Sequence, residues 1–294
     1  MYKSGFVTVV GRPNVGKSTL LNHIIGEKIS IISNKPQTTR NKIQLVYTEP
    51  EFQVVFLDTP GIQMPKNKLG EYMLKVSRST LEEVDLITFM VDESMKTGKL
   101  DNYIIEQLKS IETPIILLIN KTDKLNKDEV NQLMQKYKDM NMFKDIIPIS
   151  AINGINIDSY INSVKKLLPR GPQYFPEDMI TDQPERLIIS EIIREKALKN
   201  LEEEVPHGIF VEIEKISERE KKDLIDVHAI IYCEKESHKG IVIGKGGKML
   251  KRIGKEARTD IERLLGSQVN LQLWVKVEKN WREKEGKVRR FGYK

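Results

Sequence analysis

Eight residues, GRPNVGKS at 11–18, restrict the possible folds of this chain more than any other stretch. They follow an apolar run, GFVTVV (5–10), and open an amphipathic segment at 17–26. G-x-x-x-x-G-K-[ST] in a strand–loop–helix setting is a phosphate-binding loop. Gly11 and Gly16 let the backbone bend so that its N–H groups turn inward, and the helix N-terminus adds a favourable dipole. Arg12, Pro13, Asn14 and Val15 complete the loop, and Thr19 follows it into the helix. Lys17 would reach the β- and γ-phosphates, and the Ser18 hydroxyl would take a Mg²⁺ position.

The pattern around this loop predicts an α/β domain. Strands are expected at 5–10, 43–48, 52–58, 85–92, 114–120 and 145–150, and helices near 17–26, 70–82, 99–110, 127–139 and 157–168. Continuous apolar strands separated by helices imply a mostly parallel sheet with helices on both faces. The stretch 43–48 is close enough to 52–58 to be its hairpin partner. In such sheets ligands bind beyond the carboxyl ends of the strands.

Three more motifs fall at predicted strand ends and choose the nucleotide. DTPG (58–61) supplies Asp58 for the metal and the Gly61 N–H for the γ-phosphate, with Thr59, Pro60 and Ile62 alongside. NKTD (120–123) supplies Asp123, which can accept from guanine N1–H and the exocyclic amine together. Adenine cannot offer that pair. Asn120 and Lys121 would brace the ring and the first loop, with Thr122 between. At Ser150-Ala151 a backbone N–H can donate to guanine O6. Each motif is weak alone, but their order along the sheet is specific.

Composition places the protein in a class. Of 294 residues, 39% are hydrophobic and 31% charged, which suits packed cores, and the length suits about two domains. Cys233 is the single cysteine, so no intrachain disulfide can form, and the four histidines show no zinc spacing. No basic stretch followed by an apolar run and a cleavage site opens the chain, and no apolar run approaches the ~20 residues of a membrane span. A cytoplasmic location is expected. Net charge is +6, but residues 238–294 hold 16 Lys/Arg against 6 Asp/Glu, a net of +10 that leaves −4 for the rest. A basic end on an acidic front suggests a polyanionic partner.

That basic end contains a second glycine–lysine stretch, GIVIGKGGKMLKRIGKEAR (240–258). It fits neither a Walker loop nor G-x-G-x-x-G. It does fit G-x-x-G at Gly244, Lys245, Gly246 and Gly247. The segment PRGPQYFPEDMITDQP (169–184), with four prolines and a glycine, reads as a linker. After it the expected order is a helix (185–203), two strands (208–216, 225–233), helices at 242–252 and 254–265, and a strand at 268–278. This α-β-β-α-α-β order resembles a KH domain of type II. There a GXXG loop clamps the sugar-phosphate backbone of about four nucleotides of single-stranded RNA. Lys245 and Lys248 would supply charge, and Lys251, Arg252, Lys255 and Arg258 would extend the basic face. Ile241, Ile243 and Ile253 are candidates for a groove wall or for plain core. Trp281, Phe291 and Tyr293 either stack on bases or pin the tail to the domain.

The motifs GRPNVGKS, PQTTR (36–40), DTPG, NKTD and SA resemble those of translation-factor-like small GTPases. Joined to GIVIGKGG, they make the whole chain resemble the bacterial Era GTPases. The expected layout is a GTPase domain at 1–170, a linker at 171–184 and a KH domain at 185–294. The resemblance implies that a threonine of PQTTR, Thr39 or else Thr38, closes over Mg²⁺ and the γ-phosphate. It also implies that Asn14 can hold a K⁺ beside the β/γ bridge, although Asn14 can equally only shape the loop. The catalytic candidates are then Lys17, Thr39, Gly61 and Asn14. Where some GTPases place a water-orienting glutamine, this chain has Ile62, with Gln63 one place further on. The implied function is a GTP-hydrolysing switch that binds 16S ribosomal RNA near its 3′ end and assists maturation of the 30S subunit. No obligate protein partner is expected. Peripheral association with the inner face of the cell membrane is also implied by the family. The alternative is a peripheral membrane or tRNA-related regulatory GTPase whose basic domain binds another polyanion.

Overall fold

The computed structural model describes residues 1–219 and 223–294, which divide into two compact units. The first unit comprises residues 1–30, 39–65 and 73–182. Its strands are β1 (Lys3–Val10), β2 (Ile43–Glu49), β3 (Phe52–Asp58), β4 (Leu86–Val91), β5 (Ile115–Ile119) and β6 (Asp145–Pro148). They form one sheet in the order β2-β3-β1-β4-β5-β6, with only β2 antiparallel to its neighbour. The helices are α1 (Lys17–Ile25), α2 (Lys68–Glu82, of which residues 73–82 belong to this unit), α3 (Lys99–Leu108), α4 (Lys127–Lys138) and α5 (Ile157–Leu167). Every residue of β3, β4 and β5 is buried, as expected for strands covered on both faces.

Chain order reverses around β1, which pairs with β3 on one side and β4 on the other. The carboxyl ends of β1 and β3 lead into GRPNVGKS and DTPG, and those of β5 and β6 lead into NKTD and Ser150-Ala151. The sequence motifs therefore meet at one edge of the sheet, at its topological switch point.

The proline-rich segment is an ordered strap on the first unit. The Gln53 side chain accepts from the Tyr174 and Phe175 N–H groups at 2.8 and 3.0 Å. It also donates to the Phe175 carbonyl at 3.0 Å. Further along, Val46 N donates to the Ile180 carbonyl at 2.9 Å, and Thr181 Oγ1 to the Gln44 carbonyl at 2.6 Å. The strap thus covers part of β2, an edge strand whose polar groups would otherwise be open to pairing.

The second unit comprises residues 31–38, 66–72 and 183–294. Its elements are α6 (Glu185–Asn200), β7 (Phe210–Glu218), β8 (Leu224–Cys233), α7 (Glu236–Ile243), α8 (Lys248–Leu265), β9 (Gln268–Val277) and α9 (Glu285–Arg290). β7 and β8 are antiparallel and β8 and β9 parallel, which is the expected α-β-β-α-α-β order. Within this unit the Arg194 guanidinium of α6 is buried. It pairs with Glu191 and donates to the carbonyls of Gln37 and Thr38.

The helices around the second glycine loop differ from expectation. The first ends at Ile243 rather than running to 252, and the second is continuous over 18 residues from Lys248. Gly244, Gly246 and Gly247 have φ of 71°, 59° and 76°, so the helix breaks there. Gly254 does not break α8. A Cβ at that position would lie 3.3 Å from Leu273 Cδ1, so this glycine permits close approach of helix to strand.

Ile253 is fully buried core and no groove wall, whereas Ile241 is about half exposed at 49%. The tail aromatics are pinned. Trp281 is fully buried and donates from Nε1 to the Gly208 carbonyl at 2.9 Å, and Phe291 stacks on Phe210 at 4.1 Å.

Candidate functional site

The first glycine loop is shaped by crowding as well as by conformation. A Cβ on Gly11 would sit 2.4 Å from the Met90 carbonyl oxygen, and one on Gly16 would sit 2.2 Å from Asn120 Nδ2. Gly16 also has φ of 110° and forms the N-cap of α1. Asn14 is exposed at the loop tip with φ of 67°. Lys17 is only 7% exposed, and burial lowers its pKa to about 8, with the charge of Asp58 opposing the shift. A buried cation in that condition suits an anionic ligand, which would restore its proton.

Next to it, two hydroxyls and a carboxylate converge. Ser18 Oγ donates to Asp58 Oδ2 at 2.8 Å and lies 3.2 Å from Thr39 Oγ1. Asp58 is fully buried. Burial pushes its carboxyl upward against the opposing pull of Lys17 and Ser18. Its other oxygen, Oδ1, has no hydrogen-bond partner among the described residues. A buried oxygen-only set with one unsatisfied carboxylate oxygen fits a hard divalent cation such as Mg²⁺. Thr38 is turned away from this cluster, with its hydroxyl donating to the Lys35 carbonyl at 2.7 Å. Of the two candidate threonines, the structure brings Thr39 to Ser18 and Asp58.

DTPG lies against the first loop. A Cβ on Gly61 would come within 2.8 Å of Pro13 N, and Ile62 N donates to the Gly11 carbonyl at 3.1 Å. Thr59 Oγ1 donates to the Val9 carbonyl at 3.1 Å, and the Pro60 carbonyl accepts from Ser77 Oγ at 2.8 Å. The Ile62 side chain is buried, and Gln63 is half-buried beside it.

On the base side, Asn120 is the joint. Its Nδ2 donates to the Val15 carbonyl at 2.7 Å, and its Oδ1 accepts from Ala151 N at 2.9 Å. The Ala151 N–H is therefore engaged with Asn120, where the sequence reading expected a backbone donor for guanine O6. Thr122 Oγ1 donates to the Ile149 carbonyl at 2.9 Å, and Lys121 is held in a left-handed conformation with φ of 65°. Asp123 is exposed, and Ser150 Oγ orients its carboxylate at 2.5 Å. Sequence reasoning passed over Asp92, which follows β4 at this same sheet edge and pairs with both Arg12 and Lys121. Its position one residue past an apolar strand was the available signal.

In the second unit, the GXXG loop closes through Gly247 N donating to the Gly244 carbonyl at 3.0 Å. Lys245, Gly246 and Lys248 are exposed, and a Cβ on Gly246 or Gly247 would touch nothing within 4 Å. Lys251, Arg252, Lys255 and Arg258 are exposed on α8. Arg252 pairs with Glu256 at 3.1 Å and Arg258 with Glu262 at 3.7 Å.

Known protein families match both halves of the chain. A family described as 50S ribosome-binding GTPase matches residues 6–121, and the KH domain family matches 204–282. GTPase Era of Alkaliphilus metalliredigens is 60% identical over 292 residues, covering 99% of each chain. GTPase Era of Clostridioides difficile is 59% identical over 294 residues, covering 100% of this chain and 99% of its own.

The chain belongs to the Era GTPase family.

Solved Era structures agree with the fold described above. One, Era in complex with MgGDPNP and nucleotides 1506–1542 of 16S ribosomal RNA, matches with a TM-score of 0.96 and 43% identity, covering 100% of this chain and 99% of that one. A variant of Aquifex aeolicus Era bound to GDP and AlF4⁻ matches with a TM-score of 0.95 at 43% identity, covering 99% of each. As an Era GTPase, the protein is a GTP-hydrolysing enzyme built from a GTPase domain and a KH domain.

Proposed function

We propose that this Era-family GTPase couples its nucleotide state to a clamp for single-stranded RNA, that the RNA is the 3′ end of 16S ribosomal RNA, and that the cycle assists assembly of the 30S subunit. The observation that carries this reading is the pair of glycine cradles on one chain whose full-length relative was solved with MgGDPNP and nucleotides 1506–1542 together.

In this reading the loop 11–18 cups the phosphates, and Lys17 regains its proton against them. Ser18, Thr39 and Asp58 hold Mg²⁺, which when bound neutralises charge on the β- and γ-phosphates. The Gly61 N–H senses the γ-phosphate. Asp123, oriented by Ser150, selects guanine, and Asn120 and Lys121 brace the ring. Hydrolysis then relies on positioning and electrostatics, because buried Ile62 offers the attacking water no hydrogen bond. Intrinsic turnover is slow. Asn14 either shapes the loop or holds a K⁺ there.

On the RNA side, Gly244, Lys245, Gly246 and Gly247 lay backbone against backbone, and Lys248 and the basic face of α8 add charge. Support for coupling comes from residues 31–38, which precede Thr39 and group with the second unit, their carbonyls held by Arg194. If GTP favours the RNA-competent state, RNA tightens GTP binding by the same factor.

The testing experiment measures binding of the full chain to an RNA of 16S 3′-terminal sequence. Gly246→Asp adds a negative charge where a side chain meets open space, at a left-handed backbone position that strains any side chain, though Asp less than most, and it is expected to abolish binding. Undiminished affinity would remove the GXXG loop from the account. No described helix is long and apolar enough to cross a membrane. Vesicle binding that this RNA does not compete would favour the peripheral-membrane alternative.

A further inference from the structure

Asp92 belongs to none of the sequence motifs, yet it touches two of them. It stands one residue past β4 and is 7% exposed. Its Oδ1 accepts from the Arg12 guanidinium, from Ser94 Oγ at 2.7 Å and from Ser94 N at 3.2 Å. Its Oδ2 accepts from Lys121 Nζ at 3.3 Å. Arg12 is the second residue of the phosphate loop, and Lys121 is the second residue of the base motif. Arg12 Nε also donates to Asp101 Oδ2 at 3.2 Å, and that carboxylate in turn accepts from Gly98 N at the start of α3 at 3.3 Å. Lys121 Nζ also lies 3.4 Å from Glu93.

We propose that Asp92 is a positioning residue for nucleotide retention, a single buried carboxylate that ties the phosphate loop to the base motif through Arg12 and Lys121. The proposal rests on the reading of these motifs as the guanine-nucleotide site.

Lys121 must extend its stem along a flat ring from a left-handed backbone, and an unanchored lysine samples many rotamers. Asp92, with Glu93 beside it, takes the ammonium end and restricts that freedom. Its other oxygen holds Arg12, so the loop and the motif are fixed relative to one another. Burial raises the Asp92 carboxyl, but the Ser94 hydrogen bonds and the charges of Arg12 and Lys121 together hold it below the usual range. It is therefore ionised at neutral pH. Removing the charge leaves two partly buried cations sharing a site with a weaker acceptor.

The test is the dissociation rate of fluorescently labelled GDP from the full chain. Asp92→Asn is expected to release GDP about tenfold faster and to raise KM for GTP more than it lowers kcat. The double variant Asp92→Asn/Lys121→Gln is expected to release within about twofold of Lys121→Gln alone, because the two side chains act as one unit. A wild-type release rate in Asp92→Asn, or fully additive effects, overturns the proposal. If Asp92→Asn does not fold, Arg12→Gln is read instead, since Arg12 is about a quarter exposed at 24%. About threefold faster release is expected there, and an unchanged rate overturns the proposal. A wild-type chain that holds no labelled GDP brings down the site reading and this proposal together. A wild type that binds, beside an Asp92→Asn that releases no faster, brings down this proposal alone.

Discussion

Asn120 Nδ2 donates to the Val15 carbonyl at 2.7 Å, and a Cβ on Gly16 would come within 2.2 Å of that same nitrogen. The base motif and the phosphate loop are thus fitted to one another before any ligand is considered. Asn120→Ala would leave the Val15 carbonyl and the Ala151 N–H without their partner. At about 0.5–1.5 kcal/mol net for each of the two hydrogen bonds that fit the motif to the loop, GDP affinity should fall roughly 5- to 150-fold. Equilibrium binding of labelled GDP checks this, and a change under threefold would contradict it.

The Ser18–Asp58–Thr39 cluster separates two adjacent threonines. Thr39→Ala removes a hydroxyl 3.2 Å from Ser18 Oγ and should slow GTP hydrolysis about 100-fold. Thr38→Ala removes a hydroxyl bonded within its own loop to Lys35, and should cost under about fivefold. Single-turnover hydrolysis of both variants gives the comparison. Equal losses would mean that the observed geometry does not carry into the working state.

Lys17 should make nucleotide binding depend on pH. In the nucleotide-free protein its pKa is lowered to about 8 by burial. Phosphate favours the charged form, so binding raises that pKa again. Below pH 8 the proton is already in place. Above it, binding must take up a proton, and affinity for GDP should fall up to about tenfold per pH unit. The same shift works the opposite way on folding. The buried ammonium costs the free protein stability below pH 8, and that cost fades as pH rises from 8 towards the unfolded value of 10.5. Calorimetry in buffers of different ionisation enthalpy should register proton uptake at pH 8.5 and almost none at pH 6.5.

Much of the candidate site's backbone shape was legible because glycine and motif spacing encode backbone geometry directly. Gly11, Gly16 and Gly61 each stand where a Cβ would strike backbone or a fixed amide. Spacing alone did not decide between Thr38 and Thr39, because that choice depends on which hydroxyl the folded loop turns inward. It also did not reveal Asp92, whose partners lie 80 and 29 residues away in sequence. The helix boundaries near 244 were misjudged for a related reason. Gly254 resembles a helix break until packing against Leu273 explains it, whereas the three glycines at 244–247 adopt the positive φ that ends α7. Spacing also did not show that the Ala151 N–H meets Asn120 Oδ1, because that acceptor comes from a different motif.

Asn14 carries a cation question that solution kinetics can answer. It sits exposed at the loop tip with φ of 67°. If it helps to hold K⁺ beside the β/γ bridge, turnover in KCl should exceed that in NaCl at equal ionic strength by about tenfold or more, and Asn14→Ala should erase the difference. Equal rates in the two salts would assign Asn14 to loop shape alone.

The central claim is that nucleotide and RNA are read by one coupled device. The most direct measurement is the affinity of the full chain for a 16S 3′-terminal RNA, once with GDP and once with a non-hydrolysable GTP analogue, at fixed salt. The account predicts at least about fivefold tighter binding with the analogue, and RNA raising the preference for the analogue over GDP by the same factor. Identical RNA affinities in the two nucleotide states would contradict it.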